Sequence, residues 1–180
     1  MGHENVNPLD RPEITQILFH PRPAPNTPAP ADAIDYDIQV PSGVTLSCRI
    51  YTGKPEQPHI LFFHGNGEIA ADYDHTGPIY TDYNLNFMVA DYRGYGRSTG
   101  EPDVTTMISD AHHFLDNILE WVRREVRTGP LWVMGRSLGS APAIELATAR
   151  STEVAGLIVE SGFADPIALL RSLGLDTHAL

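Results

Sequence analysis

The spacing of apolar residues changes along the chain, and its first clear pattern is strict alternation. Residues 34–40 and 44–50 alternate between apolar and polar positions, with a Pro-Ser-Gly turn between the two runs. Such alternation around a short turn predicts an antiparallel β-hairpin with one buried face. Cys48 falls on the apolar face, so we expect it to be a small buried side chain.

From residue 59 onward the apolar residues form continuous runs, which predict strands covered on both faces. These runs are residues 60–63, 86–90, 131–134 and 155–159. Apolar residues recur every three or four positions from Val104 to Val126, and this spacing predicts a long amphipathic helix. A hairpin followed by strand–helix units indicates an α/β fold with a mostly parallel, doubly wound sheet and a leading antiparallel hairpin.

The first 31 residues lack this periodicity. Residues 17–19 form a short apolar anchor, and five prolines between Pro21 and Pro30 predict an extended connector. We therefore expect an N-terminal extension with a proline-rich connector, residues 1–31, and one core domain, residues 32–180. A chain of 180 residues is long enough to form one hydrophobic core.

Composition and charge exclude several classes of function. A formal net charge of −11 argues against binding to nucleic acid or to an anionic membrane surface. No apolar run is long enough for an integral membrane segment, and no signal peptide is visible, so we expect a cytoplasmic protein. The single cysteine excludes an internal disulfide. The sequence has no metal-binding motif, so we expect the protein to use neither a metal nor a cofactor. The composition does not indicate whether the protein is a monomer or an oligomer.

The strongest candidate for chemistry is the G-x-S-x-G motif at residues 135–139. A buried strand precedes it and a helix rich in small residues follows it, and this context predicts a nucleophile elbow with Ser137 on a strained turn. A Cβ at Gly135 or Gly139 is expected to collide with the neighbouring strand or helix. Ser137 is therefore the candidate catalytic nucleophile.

The loop after the first buried strand is the candidate for oxyanion binding. An acyl-transfer enzyme needs backbone N–H donors aimed at the developing oxyanion. We expect one donor from Leu138, which follows the nucleophile, and the other from Asn66, with Gly65 and Gly67 letting the backbone approach the substrate. His64 is expected to hydrogen-bond within the loop in a structural role.

The same loop also supports an alternative function. Gly65 and Gly67 fit G-x-G-x-x-A after a strand, and Asp91 ends the next strand, as in a Rossmann-like nucleotide-binding domain. The hairpin before the strand and the Gly-Pro pair inside the following helix, around residues 69–80, count against this interpretation. Saturable binding of NAD(H) would favour it.

A third glycine-rich loop, residues 91–100, follows the strand at 86–90. We expect a tight structural loop in which Asp91 and Arg93 bind each other and the backbone.

Taken in order, residues 61–67, 91–98 and 135–139 resemble the α/β-hydrolase superfamily, and most of all its serine-aminopeptidase-like and depalmitoylase-like branch. The resemblance covers residues 34–175. It implies a serine hydrolase that acts on a small-molecule acyl substrate, a carboxylic ester, thioester or amide, through an acyl-serine intermediate. It also implies an acid and then a histidine after Ser137 in the chain.

Asp165 and His178 are the candidates for acid and base within the chain. Asp165 precedes Pro166, a pattern that predicts the N-cap of a helix at residues 166–173. His178 is the third residue from the end. The resemblance instead implies that the acid, the histidine and the last strands lie beyond residue 180, which would leave residues 157–159 as an exposed apolar sheet edge. A further alternative is a non-catalytic remnant of a hydrolase.

Overall fold

The computed structural model describes residues 7–26, 28–163, 165–172, 174 and 177. Its strands are β1 (Ala33–Gln39), β2 (Thr45–Tyr51), β3 (His59–Phe63), β4 (Asn86–Asp91), β5 (Leu131–Arg136) and β6 (Gly156–Glu160). Its α-helices are α1 (Pro12–Leu18), α2 (Gly77–Asp82), α3 (Val104–Arg124), α4 (Ser140–Ala149) and α5 (Pro166–Ser172). The described strands form one sheet in the order β1-β2-β4-β3-β5-β6.

The predicted α/β fold is confirmed. β1 pairs antiparallel with β2, from Ala33 opposite Tyr51 to Gln39 opposite Thr45. β2 is also antiparallel to β4, and the four strands β4, β3, β5 and β6 are mutually parallel. The leading hairpin therefore forms one side of a mixed sheet whose parallel strands carry the rest of the fold.

β3 shows why the buried strands are continuously apolar. Every residue of β3 is buried, because β4 and β5 flank it and helices cover both faces. Leu61 and Phe63 belong to the cluster that includes α3 and α4, while Ile60 and Phe62 pack with Tyr80 of α2 on the opposite face. Alternate residues thus enter two different cores, so both sets are apolar.

The long predicted helix is α3, and it begins at an N-cap that the apolar spacing did not reveal. The Asp103 carboxylate accepts a hydrogen bond from the Thr106 N–H at 2.6 Å, and the Asp103 N–H donates to the Thr106 hydroxyl. This reciprocal pair satisfies two backbone donors at the start of the helix. In the part of the chain that is described, no helix is both long enough and apolar enough to cross a membrane.

The segment after β3 differs from the helix expected around residues 69–80. A short 3₁₀ turn, Ala70–Tyr73, comes first, and α2 starts at Gly77 with Pro78 in its first turn. Proline is favoured at that position because its missing N–H has no partner inside the helix anyway. The Gly-Pro pair therefore begins a helix instead of interrupting one.

The N-terminal extension folds onto the core. Residues 12–18 form α1, which the weak periodicity did not predict, and Ile14 and Phe19 are buried. The apolar anchor at residues 17–19 is thus in contact with the core through Phe19. The connector is extended where Pro23 forms a parallel bridge with Gly96.

β6 lies at the end of the described sheet and exposes apolar side chains. Leu157, Ile158 and Val159 are 38%, 36% and 46% exposed. β6 pairs with β5 on one side, and no strand among the described residues pairs with its other side, where backbone groups lie beside this apolar surface. Within the described residues, 157–159 form the exposed apolar sheet edge that was expected.

Cys48 is fully buried in β2, and burial together with the nearby Asp91 and Asp35 raises the pKa of its thiol. Because the thiolate is the reactive form, we predict that native protein does not react with a disulfide reagent such as Ellman's reagent. In denaturant one thiol per chain should react, and absorbance at neutral pH measures both states. Rapid reaction of the native protein would contradict the burial of Cys48.

Candidate functional site

The candidate nucleophile lies where β5 turns into α4. β5 leads directly into a 3₁₀ turn, Ser137–Gly139, and α4 starts at the next residue. Ser137 has a φ of 49°. This left-handed conformation is disfavoured for a residue with a side chain, so it persists only where the surrounding structure imposes it. Ser137 is exposed, although both neighbouring glycines are buried.

The two glycines of the motif hold the turn against the sheet. A Cβ on Gly135 would lie 2.1 Å from the carbonyl oxygen of Gly139. A Cβ on Gly139 would lie 2.0 Å from the carbonyl oxygen of Phe63, at the end of β3. Both contacts are with backbone atoms, which cannot rotate away. The turn therefore packs against its own strand and against β3 only because both positions lack a side chain.

The backbone around Ser137 offers a donor for an oxyanion. Leu138 is the second residue of the 3₁₀ turn, so its N–H has no partner within that turn. The Ser140 hydroxyl donates to the Ser137 carbonyl oxygen at 2.6 Å and stabilises the turn. Among the described residues, the Ser137 hydroxyl has no hydrogen-bond partner.

We call residues 64–68 the candidate oxyanion loop, and its Asn66 side chain is held on several sides. The Asn66 Oδ1 accepts hydrogen bonds from the Tyr95 hydroxyl at 2.7 Å and from the His20 N–H at 2.8 Å. The Asn66 Nδ2 donates to His20 Nδ1 at 2.7 Å. Burial raises the pKa of Tyr95 to about 12, so its hydroxyl stays protonated and donates. Within the described part of the chain, the Asn66 N–H has no acceptor.

Glu68, which belongs to none of the sequence motifs proposed for chemistry, joins the candidate oxyanion loop to the elbow. Its Oε2 accepts a hydrogen bond from the Gly65 N–H at 2.7 Å, while its Oε1 lies 2.8 Å from Arg136 Nη1. Arg136 immediately precedes Ser137. A carboxylate three residues after a loop N–H is a local spacing that could have indicated the first contact, but nothing local indicates the second.

His64 is fully buried and has a structural environment. Its Nδ1 donates to the Gly65 carbonyl oxygen at 2.9 Å. Its Nε2 lies 3.3 Å from Asp91 Oδ1, without the alignment of a hydrogen bond. The Tyr92 hydroxyl donates to the His64 carbonyl oxygen at 2.6 Å. These contacts fix the start of the candidate oxyanion loop.

The expected pairing of Asp91 with Arg93 is wrong. The Asp91 Oδ1 accepts a hydrogen bond from the Ala70 N–H at 2.7 Å. Arg93 instead forms a bidentate pair with Asp110 of α3, with Nε–Oδ2 and Nη2–Oδ1 distances of 2.7 and 2.8 Å. The fork of the guanidinium matches both carboxylate oxygens, so this partner is preferred once α3 lies beside the loop.

The geometry does not provide the features that nucleotide binding needs. The Gly65 N–H, which would face a phosphate, already binds the Glu68 carboxylate. The loop leads into the 3₁₀ turn Ala70–Tyr73, so no α-helix N-terminus receives a pyrophosphate there. Asp91, which would bind a ribose, is buried. The structure gives the Rossmann-like alternative no support in this loop.

Of the two candidates for acid and base, only Asp165 lies among the described residues. The Asp165 Oδ1 accepts hydrogen bonds from the Ile167 and Ala168 N–H groups at 2.9 and 3.2 Å, so this carboxylate caps α5. His178 lies outside the described residues. No group of three or more potential metal ligands occurs within the described ranges.

Comparisons with known proteins support the predicted fold. A model of the family described as serine aminopeptidase S33 matches residues 54–173. The chain is 35% identical over 144 residues to the alpha/beta hydrolase domain-containing protein WAV2 of Arabidopsis thaliana, covering 77% of this chain and 46% of that protein. It is 32% identical over 118 residues to the lysophosphatidylserine lipase ABHD12 of Danio rerio, covering 62% and 30%. The chain thus spans less than half the length of these relatives.

Solved structures show a similar fold. A soluble variant of monoglyceride lipase from Saccharomyces cerevisiae, in complex with a substrate analogue, superposes with a TM-score of 0.65 at 18% identity. The alignment covers 82% of this chain and 51% of that chain.

Proposed function

We propose that this chain, which belongs to the serine aminopeptidase S33 family of α/β-hydrolases, carries the nucleophile and oxyanion donors of a serine hydrolase. The family and its relatives support hydrolase activity. One observation carries the finer proposal. Ser137 is exposed at a φ of 49° between two glycines that tolerate no Cβ. A carboxylic ester is the favoured substrate, since a relative and a structural neighbour are named as lipases.

In the proposed reaction, the Ser137 hydroxyl oxygen attacks the carbonyl carbon of the acyl substrate while a base accepts its proton. The Leu138 and Asn66 N–H groups stabilise the oxyanion of the tetrahedral intermediate. The intermediate collapses to an acyl-serine as the leaving group takes up the proton, and water then hydrolyses the acyl-serine. No histidine in the described part of the chain hydrogen-bonds Ser137. Without a base, oxyanion and binding effects give about 10³-fold acceleration over water.

Labelling with a fluorophosphonate tests the nucleophile. We expect the reagent to modify Ser137 with loss of fluoride, and Ser137→Ala to abolish the modification, as mass spectrometry of the intact chain and its peptides measures. Ser161 provides a matched control, because it is also exposed and has a φ of 50° at the end of β6. Ser161→Ala should be labelled at the same rate as the unmodified sequence.

Two results would contradict this proposal. Labelling that survives in Ser137→Ala would show that another group reacts. An unlabelled chain that is folded by circular dichroism would contradict the proposal that Ser137 is an activated nucleophile in this chain.

A further inference from the structure

An apolar cavity is lined in part by Leu138, the residue that follows the candidate nucleophile. Its volume is about 150 Å³, and its walls include Leu9, Leu18, Met107, Leu138, Ala141 and Phe163. All of the residues that line it are apolar, so their side chains provide no hydrogen-bond partner for a polar ligand group. Leu138 contributes its side chain to this wall, while its backbone N–H is the proposed oxyanion donor. The cavity wall and the proposed oxyanion donor therefore share one residue, Leu138.

The N-terminal extension supplies one wall of the cavity and is fastened at its beginning. Asp10, which follows Leu9, accepts hydrogen bonds from the Val104 and Thr105 N–H groups at 2.9 and 3.1 Å. These donors lie at the start of α3, where a carboxylate is favoured by the helix dipole and by the unpaired N–H groups. Leu9 is therefore held beside α3.

The same extension is fastened at its other end to the candidate oxyanion loop. Arg22 Nε donates to the Gly67 carbonyl oxygen at 2.7 Å, and the Arg22 guanidinium pairs with Asp72. His20 binds Asn66 through both its backbone and its ring. Leu18, which lies two residues before His20 and also lines the cavity, is thereby held in the cavity wall. The wall formed by Leu9 and Leu18 lies outside residues 54–173, the part of the chain that matches the family model.

We propose that this cavity binds the apolar tail of the acyl group, and that the N-terminal extension sets the length of the tail. The inference rests on the proposed function, because it places the acyl carbonyl at the Leu138 N–H. An apolar cavity of roughly 150 Å³ in another protein stays dry and binds benzene, so the space suits a chain of about six carbons. Each methylene that enters should strengthen binding about fourfold until the cavity is full.

The first test compares fluorophosphonates that carry ethyl, hexyl and dodecyl chains. The second-order rate constant for labelling Ser137 should rise from ethyl to hexyl, with no comparable gain from hexyl to dodecyl. Leu18→Trp should fill the cavity and remove the preference for hexyl. Ile17→Trp is the matched control on the same helix, at a residue that does not line the cavity, and it should keep the preference. Leu9→Ala enlarges the cavity and should move the preference toward dodecyl.

The second test measures binding without chemistry. The chain has four methionines, so the ¹³C-methyl spectrum of labelled protein is simple. Hexanamide should shift the methyl signal of Met107, which lines the cavity, and acetamide should not. Met88, which is buried in β4, serves as the internal control and should not move.

The outcomes separate this inference from the proposed function. If no probe labels Ser137 but hexanamide shifts Met107, the proposed function is wrong and the cavity still binds a six-carbon chain. If all three probes label Ser137 at the same rate, or hexanamide leaves Met107 unchanged, the inference about the cavity is overturned.

Discussion

Gly139→Ala is expected to lower the free energy of unfolding by about 3 kcal/mol or more. Gly139 has φ −65° and ψ −11°, a conformation that any residue adopts, so alanine would carry no backbone penalty there. The cost comes from contact alone, because the Cβ would lie 2.0 Å from the Phe63 carbonyl oxygen and 2.8 Å from the His64 carbonyl oxygen. Relief of that contact requires movement of the elbow away from the end of β3. Urea unfolding followed by tryptophan fluorescence measures the change.

The matched control is Gly43→Ala, in the turn of the hairpin. A Cβ there has no atom within 4 Å, but Gly43 has a φ of 77°. Alanine at that position should therefore cost only the strain of a left-handed residue, about 1–2 kcal/mol. If Gly139→Ala were no more destabilising than Gly43→Ala, the close packing of the elbow against β3 would be contradicted.

The features that could be predicted from the sequence are those that depend on the spacing of residues close together in the chain. Alternation gave the hairpin, continuous apolar runs gave the buried strands, and the order of strand, G-x-S-x-G and helix gave the elbow. Each of these patterns depends on residues only a few positions apart and follows from the local geometry of a strand, a helix or the turn between them. The same holds for the capping role of Asp165, which a following proline made recognisable.

The features that could not be predicted depend on residues far apart in the chain. Arg93 could have paired with Asp91 by proximity in sequence, yet α3 brings Asp110 to it. The contact of His20 with Asn66 joins positions 46 residues apart, and no periodicity in the extension pointed to it. Such pairings depend on how whole helices and strands pack. The contacts that hold the candidate oxyanion loop could therefore be identified only from the fold.

His59 should make the protein progressively less stable as the pH falls from about 6.5 to about 4. It lies in β3, fully buried, and neither ring nitrogen has a hydrogen-bond partner among the described residues. Burial, and then the positive charge of Arg127, lower the pKa of His59 from 6.5 to about 4. The folded protein therefore keeps His59 neutral in this range, whereas the unfolded chain takes up a proton.

The sign follows from that difference in proton uptake. Above pH 6.5 both states carry neutral His59, so the residue adds no pH dependence. Below it only the unfolded state is protonated, and the free energy of unfolding falls by about 1.4 kcal/mol per pH unit. The loss reaches about 3 kcal/mol near pH 4 and then levels off, because the folded state also becomes protonated. Urea unfolding at half-unit pH steps measures this slope.

His59→Leu removes the titrating group and both unpaired nitrogens. We expect it to reduce the slope between pH 6.5 and 4 by the His59 contribution, while the contributions of the carboxylates are common to both proteins and cancel in the comparison. It should also raise stability at pH 5, because a buried nitrogen without a partner costs about 1–3 kcal/mol. Equal slopes for His59→Leu and the unmodified protein would show that His59 is hydrated or already paired in the folded state.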